Sequence, residues 1–342
     1  MADILTKIRK AGLVGRGGAC YPTHLKWSAV KGAANRKKFV VGNAAEGEPG
    51  VKKDGYILEH YPERIIDGIK IAVDFLRAEK GYIYINSDYH KKFGKKLKRI
   101  IGRLPIELFA KPDGSGYIGG EESAVLNAIE GKRIEPRTRP PFPTECGLWG
   151  SPTLVNNVET FYNVSLVGKG EYKNNRFYTV NGDCLWTGVY GLPADYTIEQ
   201  VLKETKNYPN FSFFVQAGGD ASGEILNSGQ LSVSAGGAGS ITVYSAQKWN
   251  FSELLKKWIS FFIYESCGRC APCREGIYRL DEIISSDKPN WKFFSDLIDN
   301  LIDASFCGLG CAAAVPIKSY IKNVLKNNKK LSDTERVICE CL

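Results

Sequence analysis

Three closely spaced cysteines and two later ones constrain this chain more than any other feature. Cys267, Cys270 and Cys273 have the spacing C-x2-C-x2-C, and Cys307 and Cys311 follow later in the chain. Two residues between ligands let a short loop wrap three corners of a [4Fe–4S] cube, and a cysteine from elsewhere supplies the fourth. Structural zinc usually takes two separated C-x2-C pairs instead. The spacing therefore favours an iron–sulfur cluster and leaves Cys307 and Cys311 both open as the fourth ligand.

Composition narrows the class of protein. The chain has 342 residues, of which 43% are hydrophobic and 24% charged, as in an ordinary globular protein of two or three domains. No apolar run reaches the roughly 18 residues that a bilayer span requires, so we expect no membrane insertion. The N-terminus lacks the order of a secretory signal, which predicts a cytoplasmic location and thiols rather than disulfides.

The net charge of +9 is unevenly distributed, with its densest run at residues 91–99. A basic run of this kind can bind nucleic acid. Phe93 and Leu97 within this run and Ile100 directly after it recur at helical spacing, however, and no aromatic interleaving accompanies the lysines. We therefore predict an amphipathic helix with these three residues on its inner side, and no nucleic-acid partner.

The hydrophobic pattern divides the chain into three parts. Residues 1–170 alternate predicted strands with predicted helices, which indicates an α/β domain. The strands are expected at 39–43 and 82–85, and the helices at 62–76, 89–101 and 122–130. Residues 171–248 combine strands at 177–180, 213–215 and 240–244 with a helix at 197–204, typical of a small α+β module. Residues 249–342 have helical patterns at 252–264, 274–284, 291–302 and 312–325, which predict a helical bundle carrying the cysteines.

Two glycine-rich loops are candidates for binding a phosphate or a flat ring, because glycines let backbone N–H groups approach a ligand closely. Lys26 and Trp27 follow the first loop and are expected to add a cation and a flat surface. A plain turn is the alternative interpretation of each loop. The loop residues considered are Gly15, Arg16, Gly17, Gly18, Ala19 and Tyr21 in the first, and Gly116, Tyr117, Gly120, Glu121 and Glu122 in the second.

Two further polar segments belong with these loops. Asn43, Glu46 and Glu48 follow the first predicted strand, where ligands of α/β sheets usually bind. Carboxylates there can accept hydrogen bonds from ribose hydroxyls and repel a 2′-phosphate; a polar turn at Pro49-Gly50 is the alternative. Asn156 and Asn157 offer adjacent amides for the polar edge of a ring.

Together these segments resemble one family, the NADH-binding flavoprotein subunit of respiratory complex I and its relatives in NAD-linked hydrogenases and formate dehydrogenases. The resemblance runs from Gly12 to about Ile321. The matching blocks are residues 12–19, Asn43 with 46–50, 120–122, 130–133, 140–143, 152–160, 265–276 and 305–310.

The resemblance implies a Rossmann-like FMN domain, a β-grasp module and a helical iron–sulfur bundle. It implies an NADH dehydrogenase subunit that accepts hydride from NADH on FMN and passes single electrons to a [4Fe–4S] cluster and then to a partner, or runs in reverse. The partner would be another redox subunit, such as the iron–sulfur subunit of a hydrogenase, a formate dehydrogenase or a complex I-like enzyme.

The resemblance also assigns site residues. It places the 15–24 loop and Glu48 at the NADH side, with Glu48 and Glu122 as the catalytic carboxylates. The expected FMN-lining residues are Lys26, Asn43, the 116–122 loop, Asn156 and Asn157. The expected cluster ligands are Cys267, Cys270, Cys273 and Cys307.

This sequence also departs from the family pattern. Cys20 stands where the family has glycine, and Ala45 where it has aspartate beside the flavin. These departures keep a second function open, an iron–sulfur scaffold with impaired flavin and NADH chemistry. The basic charge keeps open a third, a zinc-bearing nucleic-acid binder.

Overall fold

A computed structural model describes residues 3–35, 37–328 and 331–341 of the chain. The described residues form two structural units. The first contains the chain up to Gly47, Lys52–Phe177 and Gly191–Ala194, and the second contains Glu48–Val51, Tyr178–Tyr190 and the chain from Asp195 onward.

The first unit is built on a four-stranded parallel sheet. Its order is β3-β2-β1-β4, so β1 lies between β2 and β4. Most strand residues are buried, as expected where helices cover both faces of a parallel sheet. The strands are β1 Phe39–Ala44, β2 Lys80–Ile85, β3 Ile106–Ala110 and β4 Thr153–Asn157.

Among the described residues of the first unit, seven helices accompany this sheet. The predicted helix over 62–76 is confirmed at both ends, because Pro62 opens it and Arg77 closes it in the left-handed conformation. Short 3₁₀ turns lie at Tyr117–Gly120 and Leu148–Gly150. The helices are α1 Ile4–Lys10, α2 Thr23–Gly32, α3 Lys53–His60, α4 Pro62–Leu76, α5 Ser87–Ile101, α6 Glu122–Ile129 and α7 Val158–Lys169.

The basic run forms α5, as predicted, with one difference in its inner face. Phe93 and Leu97 are buried, but Ile101 occupies the third inner position and Ile100 is only partly covered. The step from Leu97 to Ile101 is one full turn, which keeps the apolar stripe on one side.

Helices α4 and α7 cross without room for a side chain. A Cβ added at Gly68 would lie 1.9 Å from the carbonyl oxygen of Phe161. Gly68 therefore lets the two backbones approach directly, which fixes the start of α7 against the sheet.

The second sheet has five strands in the order β6-β5-β9-β7-β8. Strand β9 is parallel to β5 and antiparallel to β7. Helix α8 Ile198–Glu204 lies between β6 and β7 in the chain and begins with a capping box between Thr197 and Gln200. The strands are β5 Asn175–Gly182, β6 Gly188–Pro193, β7 Phe213–Ala217, β8 Glu224–Asn227 and β9 Ser240–Ser245.

The remaining elements are helical. They are α9 Phe251–Glu265, α10 Ile277–Ile284, α11 Trp291–Ala304, α12 Gly308–Tyr320 and α13 Asp333–Cys341, with wide π-type turns at Pro272–Gly276 and Ile321–Leu325. Strand β8 is joined to this part by buried hydrogen bonds. The Ile225 amide donates to Ser319 Oγ at 2.8 Å, and Asn323 Nδ2 donates to the Ile225 carbonyl at 2.7 Å. Across the described ranges, no helix has both the length and the apolar character needed to cross a bilayer.

Candidate cofactor cradle and cysteine cluster

The loops after β1 and before α6 lie against each other at the carboxyl end of the parallel sheet. Asn43 Nδ2 donates to the carbonyl of Gly120 at 2.9 Å. A Cβ at Gly120 would lie 3.1 Å from Ala45 Cβ, and one at Gly47 would lie 3.3 Å from Tyr117 Cα. A side chain at either glycine would require its neighbour to shift, so these glycines favour the close approach of the two loops.

The first glycine-rich loop reaches the same edge through the start of α7. The Arg16 amide donates to Thr160 Oγ1 at 2.9 Å. A Cβ at Gly17 would lie 3.2 Å from Asn157 Cβ. Because β1 and β4 are parallel neighbours, Asn43 and Asn157 are also directly paired in register. The structure thus brings all four predicted segments together.

The tip of the first loop is exposed, and Trp27 is not part of that surface. Tyr21 is 53% exposed, whereas Trp27 is 0% exposed and its indole N–H donates to Asn156 Oδ1 at 3.1 Å. The expectation that Trp27 offers a flat surface is wrong, because α2 turns this ring into the core. Cys20 has a φ of 51° in the left-handed region that glycine favours.

Charged side chains gather where α6 begins. Lys26 and Glu122 form an ion pair, and Arg139 contacts both Glu121 and Glu122. Glu121 also caps α6, accepting from the amides of Ser123 and Ala124 at 2.9 Å each. Sequence reasoning missed Arg139, which lies in a Pro- and Arg-rich segment without periodicity.

Glu46 is held by the start of α3. Its two carboxylate oxygens accept from the amides of Asp54 and Gly55 at 2.7 and 3.1 Å and from the Tyr89 hydroxyl at 2.6 Å. Burial and the neighbouring Asp54 carboxylate raise the pKa of Glu46 to about 7.

Glu48 belongs to the second unit, two residues further along the chain. Its Oε1 accepts from the amides of Ala221 and Ser222 at 2.9 and 3.0 Å. A Cβ at Gly219 would collide with this carboxylate at 2.3 Å. The side chain is therefore fixed by the turn that follows β7.

The cysteines gather where two segments of the second unit meet, the C-x2-C-x2-C loop and the start of α12. Cys273 lies in the π-type turn between α9 and α10 and is 6% exposed, with Ser266 Oγ 3.3 Å from its sulfur. Gly310, near the start of α12, would place a Cβ 3.4 Å from Cys273 Cβ. Cys307 is the residue immediately before α12. The first turn of α12 therefore packs against the C-x2-C-x2-C loop.

The thiols lie close enough to affect one another electrostatically. Burial, with the nearby Cys270, Cys307 and Cys267 thiols, raises the pKa of Cys273 to about 11. The Cys311 sulfur instead lies 3.5 Å from the carbonyl oxygen of Ile302. Of the two candidates for a fourth ligand, Cys307 is the one grouped with the other three.

Two arginines contact the segments that carry the cysteines. Arg269 stacks its guanidinium on the Phe306 ring, 4.1 Å from the centroid, and Arg274 donates to the Gly268 carbonyl at 2.7 Å. Both cations lie beside the loop, where they can offset negative charge. Within the described parts of the chain, no three His, Cys, Asp or Glu side chains are arranged to hold a single metal ion.

Comparison with protein families finds two matches in this chain. Residues 8–166 match the Nuo51 FMN-binding domain. Residues 253–328 match the iron–sulfur binding region of NADH-ubiquinone oxidoreductase F. The two matched regions contain the glycine-rich loops and the cysteine cluster respectively.

Curated relatives resemble the chain over most of its length. The NADH-quinone oxidoreductase F subunit of Aquifex aeolicus is 32% identical over 359 aligned positions, covering 94% of this chain and 84% of the relative. The corresponding protein of Mycobacterium bovis is also 32% identical, with 94% and 82% covered. A chain of the NAD⁺-reducing [NiFe]-hydrogenase in its H₂-reduced state superposes with a TM-score of 0.85 at 28% identity. The alignment covers 94% of this chain and 60% of the hydrogenase chain, so this chain spans less than two thirds of that one.

Proposed function

This chain belongs to the family of NADH-quinone oxidoreductase F subunits, and on that premise we propose that it oxidises NADH with FMN and passes electrons singly to a [4Fe–4S] cluster. The observation that carries the proposal is the presence, in one chain, of both a four-segment glycine-rich edge and a four-cysteine group. FMN, when bound, accepts two electrons as hydride and releases them one at a time. The reverse direction, reduction of NAD⁺, uses the same residues.

The residues at the sheet edge suit FMN. Gly18 leaves open space, because a Cβ there would meet no atom within 4 Å, and Lys26 supplies a cation at the start of α6. Lys26 is already paired with Glu122, and Arg139 contacts both Glu121 and Glu122. The residues that we propose to hold FMN are Lys26, Asn43, Gly116, Tyr117, Gly120, Glu121, Asn156 and Asn157. On the NADH side of the same site we propose Gly15, Arg16, Gly17, Gly18, Ala19 and Glu46.

The four cysteines suit a cluster. Cys267, Cys270 and Cys273 come from one loop and Cys307 from the start of α12, as the ligand pattern of a cube requires. Arg269 and Arg274 would partly neutralise it. We therefore propose these four as ligands and assign Cys311 no role in binding.

NADH is the proposed nucleotide, with Glu48 and Glu122 as the carboxylates nearest to it and Tyr21 as a stacking ring. An anchored carboxylate that faces a ribose accepts hydrogen bonds from its hydroxyls and repels the phosphate of NADPH. The two amide hydrogen bonds to Glu48 support this role, because they fix one oxygen and leave the other to accept from a ligand.

The proposed architecture has a Rossmann-like FMN domain at 1–170, a β-grasp module at 171–248 and a helical iron–sulfur bundle at 249–342. We further propose that the chain works in the cytoplasm with other redox subunits. The relatives are subunits of NADH-quinone oxidoreductase, and the matching structure is a NAD⁺-reducing hydrogenase. An iron–sulfur subunit of such a complex would receive the electrons.

The test is reconstitution of the full chain with FMN, iron and sulfide, followed by assay with NADH and a dye acceptor. We expect flavin absorbance that NADH bleaches, together with dye reduction. If the chain binds the cluster but no FMN, the result supports instead an iron–sulfur scaffold with impaired flavin chemistry. Cys20 and Ala45, which depart from the family pattern, are the residues that motivate this alternative. Metal analysis of the chain as purified is the companion measurement, and zinc in place of iron there would refute both functions.

A further inference from the structure

A buried lysine contacts the proposed cofactor cradle, which we define as the Gly15–Ala19 loop, Asn43, the 116–122 loop, Asn156 and Asn157. Nothing in the sequence pattern marks this lysine. Lys53 is 2% exposed, at the start of α3. Its ammonium lies 2.6 Å from Asp54 Oδ1, 3.0 Å from Asn157 Oδ1 and 3.1 Å from Glu159 Oε2. The contacts with Asp54 and Asn157 are hydrogen bonds, and the contact with Glu159 is an ion pair.

The Asn157 side chain is completely used by this network. Its Oδ1 accepts from Lys53 and from the Glu159 amide at 3.0 Å, and its Nδ2 donates to Asp54 Oδ2 at 2.8 Å and the Asn43 carbonyl at 3.1 Å. Reversing the amide would turn an NH₂ group toward the ammonium. Lys53 therefore acts together with the Glu159 amide and the Asp54 carboxylate to fix which way the amide points.

Asn157 in turn supports two of the segments that form the cradle. Gly17 packs directly on the Asn157 Cβ, and the Asn43 carbonyl accepts its amide proton. A side chain that links β1, β4, α3 and the first glycine-rich loop transmits any displacement of Lys53 to all of them.

The network holds more acids than bases. Asp54 and Glu159 contact Lys53 directly, and Glu46 lies next to Asp54. Glu159 is 0% exposed. Removing the ammonium would leave buried carboxylates without their cation, which is strongly unfavourable.

We propose that Lys53 is a positioning residue for the cofactor cradle. It acts through the Asn157 amide on the Gly15–Ala19 loop and on Asn43. This inference rests on the proposed function only in naming FMN as the ligand. The arrangement of the loop itself is a property of the protein without ligand, so it can be tested separately.

The test uses the full chain, with Lys53→Met compared with wild type. Lys70→Met is the matched control, because Lys70 is an exposed lysine of the same unit, paired with Asp74. The first readout is hydrogen–deuterium exchange of peptides covering residues 12–20 without FMN. The second is the FMN dissociation constant from flavin fluorescence. For Lys53→Met we expect at least tenfold faster exchange in the loop and at least tenfold weaker FMN binding, with the control unchanged.

A charge-balanced double variant, Lys53→Met with Glu159→Gln, separates positioning from bulk stability. It removes one buried acid with the buried base, so the thermal midpoint should recover while loop exchange stays fast and FMN binding stays weak. It also carries the test if Lys53→Met alone does not fold. Loop exchange and FMN affinity within twofold of wild type in either variant would overturn the proposal. A wild type that binds no FMN refutes the proposed function instead, while the exchange comparison still decides the role of Lys53.

Discussion

Gly68→Ala tests the direct backbone contact between α4 and α7 on which the position of Asn157 depends. The added Cβ would lie 1.9 Å from the Phe161 carbonyl oxygen and 2.6 Å from its carbon. Both are backbone atoms, so no side chain can rotate away. The helices must separate by roughly 1.5 Å to restore an ordinary contact, which forfeits much of the dispersion energy between them.

The expected loss of stability follows from that separation. Overpacking typically costs about 1–3 kcal/mol, and a rigid backbone contact belongs at the upper end. Because 1 kcal/mol changes the unfolding midpoint of a domain of 150–250 residues by about 2–4 °C, we expect a fall of about 6–12 °C. FMN affinity should fall as well, because Asn157 is the N-cap of the displaced α7.

The control is Gly94→Ala, also in a helix interior. Its Cβ would meet only the His90 ring, at 3.4 Å. Alanine is favoured over glycine in helices by about 0.5–1 kcal/mol, so the midpoint should rise by about 1–4 °C. Midpoints are measured by scanning both variants and wild type at one rate. If Gly68→Ala unfolds within 2 °C of wild type, the close crossing of α4 and α7 is wrong.

Three further predictions concern the sites. The raised pKa of Glu46, about 7 against a usual 4.5, means that the folded state holds this proton more tightly. Its stabilising contribution is full below pH 4.5 and is lost as the pH rises through 7, so Glu46→Gln should gain thermal stability relative to wild type over that interval, by up to about 3 kcal/mol. Glu48→Gln should narrow the preference for NADH over NADPH, measured as kcat/KM with a dye acceptor, because the repulsion of the 2′-phosphate is removed. Cys307→Ser should abolish or strongly change the cluster's EPR signal, whereas Cys311→Ser should leave it intact.

Each of these has a clear contrary result. A constant difference in midpoint between Glu46→Gln and wild type from pH 4.5 to 8 would show that Glu46 does not titrate differently in the folded state. If the ratio of kcat/KM for NADH to that for NADPH is unchanged in Glu48→Gln, Glu48 does not determine nucleotide specificity. If Cys311→Ser loses the EPR signal and Cys307→Ser keeps it, Cys311 is the fourth ligand and Cys307 is not.

Much of the fold was accessible from the sequence where local signals agreed. Helix α4 has a proline at its first position and a continuous apolar stripe, and α9 begins with a capping box between Asn250 and Glu253. Strand β4 was missed, because Thr-Leu-Val-Asn-Asn has no alternation and ends in paired asparagines that resemble a loop. Only its pairing with β1 makes it a strand.

The site residues likewise include some that local sequence patterns predict and some that they do not. Glycine-rich loops and cysteine spacing are local patterns, so the segments of both sites were identifiable, helped by the resemblance to a family. The Lys53 network was not, because Lys52-Lys53-Asp54 resembles an exposed charged turn. Its burial arises from residues about 100 positions away, Asn157 and Glu159, which no local pattern connects to it. The prediction for Trp27 was wrong in the opposite sense. Its position after the glycine-rich loop suggested a surface for a ligand, but tertiary packing buries the ring.

The central claim is that one chain receives electrons from NADH on FMN and delivers them to a cluster held by Cys267, Cys270, Cys273 and Cys307. Its most direct test is anaerobic titration of the reconstituted full chain with NADH, following flavin absorbance and EPR on the same samples. We predict one FMN and about four iron atoms per chain, bleaching of the flavin band, and an EPR signal from the reduced cluster that is abolished or strongly changed in Cys307→Ser. A flavin that NADH reduces without any cluster signal, or a cluster signal that Cys307→Ser leaves unchanged, would contradict the claim.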